Sequence, residues 1–129
     1  IPLKDEGQLA YRLYLTSCIC NELEPEAGGC VLIYFHANAE LVTDMADEID
    51  LFHASGAAAV LCPEYRGFAW SSGTPRLSQL CSDAEAVLHA VPEILQHSGA
   101  ANLVTAPKVV HGRSLGAACA VHLASLSNE

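Results

Sequence analysis

A serine held between two glycines, in Gly112-Arg113-Ser114-Leu115-Gly116, is the group in this chain best suited to covalent chemistry. The pentapeptide has the form G-x-S-x-G. It follows the short apolar run Lys108-Val109-Val110-His111 and precedes a small-residue helical segment, Ala117 to Leu126. A strand that turns at once into a helix lifts the side chain at the turn out of the sheet's end. Residues two before and two after the serine then crowd together, and Gly112 and Gly116 remove the Cβ atoms that would collide. The helix beginning at Leu115 aims its free N–H groups and positive dipole end at the serine. That geometry suits attack on an acyl carbonyl, with the Leu115 N–H donating to the oxyanion that forms. The bland alternative is a glycine-rich strand-to-helix turn in some other α/β protein.

Two further segments could serve the same reaction. His36-Ala37-Asn38-Ala39-Glu40 comes directly after the apolar run Val31-Leu32-Ile33-Tyr34-Phe35. Backbone N–H groups there would complete an oxyanion hole, although the segment also reads as an ordinary β-to-α turn. Glu64 to Pro75 follows a run ending at Cys62-Pro63 and is rich in Gly, Ser and aromatics. An irregular loop of that length calls for a purpose. Glu64 and Arg66 could structure it, and its aromatics could wall a substrate cleft.

A serine nucleophile needs a histidine within hydrogen-bond reach and an acid to orient it. None of the six histidines suits that task. His36 belongs to the turn after the first apolar strand, His53 and His89 to helices, His97 to a polar loop and His111 to the strand before the serine. His122 lies about 12 Å down the following helix axis. Asp44, Asp47, Glu48 and Asp50 read as a solvated helix face, Asp83 and Glu85 fall on a later helix, and Glu129 is the only acid after Ser114.

The elements that must position these residues follow from apolar spacing. Leu9 to Ile19 alternates as a half-buried strand, with Ile1 to Leu3 as a hairpin partner across Asp5-Glu6-Gly7. Asn21 to Gly29 reads as a loop. Val31 to Phe35, Ala57 to Cys62 and the run at Val109-Val110 are continuous apolar strands of the kind covered on both faces. Helical spacing runs over Leu41 to Ala54, ended by Gly56, and over Leu77 to Leu95, with Pro92 expected to kink or break the second. A hairpin followed by β-α-β-α-β-α predicts an α/β fold with a mostly parallel sheet and helices on both faces.

At 129 residues and 51% hydrophobic, the chain suits one packed domain. Six basic against 15 acidic residues give a net charge of −9, which argues against a nucleic-acid partner and against docking to an anionic membrane. No apolar run approaches the roughly 20 residues that span a bilayer. The six cysteines form neither C-x-x-C pairs nor a zinc pattern, so reduced thiols in a cytoplasmic compartment are expected, with or without membrane association. Cys62 and Cys119 fall in apolar runs as small hydrophobes. No metal or organic cofactor is implied. The start at Ile1 rather than Met suggests that the natural N-terminus lies upstream.

The three segments, in this order, resemble the N-terminal half of an α/β-hydrolase. More narrowly, they are similar to the serine-aminopeptidase-like hydrolases with Y-F-H-G-N-A-E, E-Y-x-G-Y-G-x-S-x-G-x-P and G-R-S-x-G segments, a group that includes α/β-hydrolase-domain depalmitoylases. The likeness runs from about Ile1 to Ser125. It implies a single partial domain over 1–129, ending just after the nucleophile-elbow helix. Ser114 would be the nucleophile, Leu115 and Asn38 the oxyanion donors, His36 a structural residue of the oxyanion turn, and Gly112 and Gly116 the supports of the elbow. Ala37 stands where the family has Gly, which would strain the turn if its φ were positive. Phe68-Ala69 in place of Tyr-Gly is a milder departure.

By the same resemblance the reaction is hydrolysis of an ester, thioester or amide through an acyl-enzyme. The substrate would be a small molecule or a lipid acyl group. The triad acid and histidine are then expected beyond residue 129, leaving the isolated chain inactive. The alternative is a non-catalytic α/β-hydrolase-like binding module or truncated pseudoenzyme. Either way, the strand before Ser114 is expected to be an exposed apolar edge through which the chain associates with itself or a partner.

Overall fold

Strand formation is dictated most strongly where β-branched and aromatic residues run without interruption, and two such runs build the centre of the sheet. The computed structural model describes residues 1–5, 7–16 and 29–126. Its elements are β1 (Tyr11–Leu15), β2 (Cys30–Phe35), α1 (Ala46–Ala54), β3 (Ala57–Pro63), α2 (Leu80–His97), β4 (Lys108–Gly112) and α3 (Leu115–Leu126). The four strands form one mixed sheet in the order β1-β3-β2-β4. β2 runs parallel to β3 and β4, and β1 pairs antiparallel with β3. The chain is therefore an α/β protein.

Alternate residues of the central strands feed two cores on opposite faces. Val31, Ile33, Phe35, Ala59 and Leu61 pack with Ala84, Val87, Val91 and Leu95 of α2 and Cys119 and Leu123 of α3. Leu32, Tyr34, Val60 and Cys62 pack with Val42, Met45 and Ile49 beneath α1. The expected alternation of the first strand holds, with Leu13 and Leu15 on the α2 side and Tyr14 on the α1 side. Cys62 and Cys119 are wholly buried, and burial pushes each thiol up to about 12, so both behave as small hydrophobes at neutral pH.

Several boundaries differ from expectation. The N-terminal hairpin reduces to a single bridge between Pro2 and Gln8, and the antiparallel partner of β1 is β3. Ser71 and Ser72 occupy the N–H groups that would extend a longer hairpin: Ala10 N–H donates to Ser71 Oγ and Gln8 N–H to Ser72 Oγ. The expected strand end at 17–20 and most of the loop over 21–29 lie outside the described residues. Leu41 to Ala54 is not one helix. Val42–Asp44 forms a 3₁₀ turn, and α1 starts only at Ala46. Side chains divert the first N–H groups: Leu41 N–H donates to Asp44 Oδ2 and Val42 N–H to Glu64 Oε2.

Pro92 does not break α2, which runs 18 residues through it. Packing of Val87 and Val91 before the proline, and Ile94 and Leu95 after it, outweighs a penalty of about 3 kcal/mol. No helix among the described residues is long and apolar enough to cross a membrane.

Candidate active site

Ser114 stands between the end of β4 and the start of α3, exposed, with a left-handed backbone φ of 54°. The backbone is compressed at this turn. A Cβ on Gly112 would sit 2.0 Å from the Gly116 carbonyl oxygen, and one on Gly116 would sit 2.0 Å from the Phe35 carbonyl oxygen. Neither obstacle is a flexible side chain. The elbow is thus wedged against the end of β2, where Arg113 N–H donates to Phe35 O at 3.0 Å.

The same β2 end carries the turn over His36 to Glu40. Glu40 N–H donates to Ala37 O, and Ala37 N–H donates back to Glu40 Oε2 at 2.8 Å. Asn38 and Leu115 line a common cleft of about 460 Å³. Neither the Asn38 N–H nor the Leu115 N–H donates to another described residue. Asn38 and Leu115, the residue after Ser114, thus share one cleft.

Ala37 does not strain this turn. Among the described residues the non-glycine positions with positive φ are Ser114 and Ala69, at 54° and 43°. The departure from Gly expected to be mild, at Ala69, is the one that holds a left-handed backbone.

His36 is wholly buried. Its Nδ1–H donates to Ala37 O at 2.8 Å, and Nε2 lies 2.8 Å from Glu64 Oε1. Glu64, equally buried, takes the Val42 N–H on its other oxygen. Tyr65 O–H donates to His36 O at 2.6 Å. Burial pulls the His36 pKa down, but the Glu64 hydrogen bond, the Ala37 carbonyl and the charges of Glu64 and Glu40 together raise it above its ordinary value. The imidazole is a structural anchor of the turn, tied to the start of the long loop.

That loop is held near its start. Arg66 forks onto Asp83 of α2 at 2.5 and 2.7 Å and reaches Asp5 at 2.6 Å. Asp83 and then Asp5, each by a hydrogen bond, hold the guanidinium pKa above its ordinary value. Tyr65, Phe68, Pro75, Leu77 and Leu80 line the same cleft as Asn38 and Leu115. Since Arg66 is occupied by carboxylates and the Tyr65 hydroxyl by His36 O, most of this wall presents apolar surface.

The remaining histidines are engaged elsewhere or lie outside the site. His53 Nδ1 donates to Ala57 O and His97 Nδ1 to Glu93 O. His122 pairs with Glu85 at 2.7 Å, and His111 packs against Tyr34 and Phe52. His89 is exposed on α2. Among the described residues no histidine hydrogen-bonds to Ser114 Oγ.

Sequence reasoning gave no role to Arg113 or Glu40, although Arg113 Nη1 meets Glu40 Oε1 at 2.7 Å. A glutamate three residues after Ala37 was the available signal, because that spacing lets a side chain return to a turn's free N–H. No protein-family model matches the chain.

Proposed function

We propose that this chain is the nucleophile-bearing portion of an α/β-hydrolase, cleaving an ester, thioester or amide through an acyl-enzyme on Ser114. The observation that carries this reading is the left-handed backbone at an exposed serine, enforced by two glycines packed on backbone oxygens. Proteins keep such strain where it has a use. Ser114 Oγ would attack the acyl carbonyl and lose its proton to a base. The carbonyl π electrons would move onto oxygen, and the Asn38 and Leu115 N–H groups would stabilise that charge. Collapse would expel the alcohol, thiol or amine with a proton, and water would release the acid by the reverse sequence. His36, through Glu64 and Tyr65, would hold the oxyanion turn without touching substrate. The cleft beside Leu115 would receive an apolar part of a small-molecule or acyl substrate. A cytoplasmic compartment belongs to the same proposal, supported by free thiols at Cys30, Cys62, Cys81 and Cys119.

The test is a fluorophosphonate probe on the protein that carries this sequence at its natural length, beside its Ser114→Ala variant. Labelling that disappears with Ser114→Ala supports the reading, and equal labelling of the two rejects it.

One observation favours a second reading, a non-catalytic module of the same fold. Among the described residues no histidine reaches Ser114, and His36, His53, His97 and His122 are committed to other partners. That reading predicts no labelling of the natural-length protein.

A further inference from the structure

We infer that Glu40 is a positioning residue that locks the two halves of the oxyanion site into one unit, an inference that rests on the reading of Ser114 as nucleophile. Its carboxylate is divided between them. Oε2 takes the Ala37 N–H at 2.8 Å, which fixes the peptide preceding Asn38. Oε1 takes Arg113 Nη1 at 2.7 Å, and Arg113 immediately precedes Ser114. Beyond the β2–β4 pairing, which reaches Phe35 and Gly112, Arg113 N–H donates to Phe35 O at 3.0 Å. That bond sets the depth of the elbow against β2, and Glu64 and Tyr65 anchor the turn at His36. The Glu40 carboxylate ties the later part of the turn to the elbow, with a charge-assisted bond at Arg113.

Burial makes the arrangement directional. The Glu40 side chain is 18% exposed and the Arg113 side chain 57%. The pair is therefore partly screened, and its main value is geometric. Glu48 of α1 lies 3.7 Å from the same guanidinium nitrogen. Loss of the Glu40 charge would let Arg113 turn toward Glu48, keeping an ion pair but abandoning the turn. Tyr34 adjoins the same group, with a phenol pKa raised chiefly by burial and secondarily by Glu40. His36, whose Nδ1 meets the Ala37 carbonyl of the same turn, and Tyr65 also feel the Glu40 charge, which raises the pKa of both.

Two measurements test the inference. The first follows amide exchange at Ala37, whose N–H donates to Glu40, by NMR in the 129-residue chain, and needs no activity. Glu40→Gln should speed exchange at that amide about tenfold. Arg113→Met should do so as well, although Arg113 does not touch it. The double variant should be no faster than Glu40→Gln, and Arg113→Lys should recover most of the protection. Unchanged exchange in Arg113→Met, or additive effects in the double variant, would overturn the clamp.

The second measures the rate of Ser114 phosphonylation in the natural-length protein. Glu40→Gln should slow it about tenfold, with recovery in Arg113→Lys relative to Arg113→Met. Normal rates in Glu40→Gln reject the positioning role while leaving the nucleophile intact. Labelling that survives Ser114→Ala rejects the nucleophile, and the clamp then stands or falls on amide exchange.

Discussion

Ser114 and Ala69 share an uncommon backbone conformation, and replacement by glycine tests the strain at each. A left-handed alanine costs about 1–2 kcal/mol, of which glycine's greater unfolded-state entropy cancels roughly 0.5–1. Ala69→Gly should therefore stabilise the chain by about 0.5–1 kcal/mol, read as a higher urea midpoint at unchanged slope. Ser114→Gly should gain a similar amount while removing the hydroxyl, whereas Ser114→Ala should remove the hydroxyl with no such gain. Equal stability of the two serine variants would contradict the strain assigned to the elbow.

The buried His36–Glu64 pair is the other single-residue test. Removing one partner strands the other, so Glu64→Ala should cost about 3–5 kcal/mol. The pH dependence has a definite sign. The folded pKa of His36 is raised, so its contribution is fully present below the ordinary 6.5 and is lost as pH rises through the folded value. Denaturation measured from pH 6 upward should show that loss in the parent and lack it in His36→Gln.

At the level of elements, what sets the site is how β4 and α3 meet β2. Gly112 and Gly116 allow that meeting, and their surroundings leave no room for adjustment, since the facing atoms are carbonyl oxygens. Gly112→Ala or Gly116→Ala should each destabilise the chain by about 3 kcal/mol. By contrast, Gly56→Ala meets nothing within 4 Å and carries only the left-handed penalty at φ 100°, so it should cost less. A chemical denaturation series over the three variants ranks them, and a smaller loss at Gly116 than at Gly56 would refute the packed elbow. The same elements show where spacing misleads. The apolar period from Leu41 predicted a continuous helix, but the Asp44 and Glu64 side chains claim its first N–H groups. Glu64 comes from a strand end 22 residues away, a competitor that local periodicity cannot register.

For the whole molecule, β4 is an edge of the four-stranded sheet. Val109 on that edge is 44% exposed, and Val121 on the adjoining α3 is 71% exposed. Open strand edges with apolar flanks invite pairing with another chain. The expected behaviour is concentration-dependent association of the 129-residue chain, relieved by a Val109→Lys, Val121→Lys double variant in sedimentation velocity. A parent that remains monomeric at the highest soluble concentration would count against this surface. The net charge of −9 opposes association only weakly at physiological salt, because screening confines repulsion to about 8 Å.

The sequence by itself determined the α/β alternation, because Val31 to Phe35 and Ala57 to Cys62 are apolar runs of strand length, bounded by Gly or Pro, that a sheet covered on both faces buries. It also determined the crowding at Gly112 and Gly116, a steric property of any strand-turn-helix built on G-x-S-x-G. Tertiary structure alone decided the rest. Which non-glycine residue bears the strain depends on backbone φ, and that fell on Ala69 rather than Ala37. Which carboxylates hold the site depends on contacts between segments far apart in the chain: Glu64 with His36, Glu40 with Arg113 and Asp83 with Arg66. Apolar periodicity encodes which face a residue turns to the core. It carries no information about which charged side chain meets another across two elements, since that depends on the register and depth at which the elements pack.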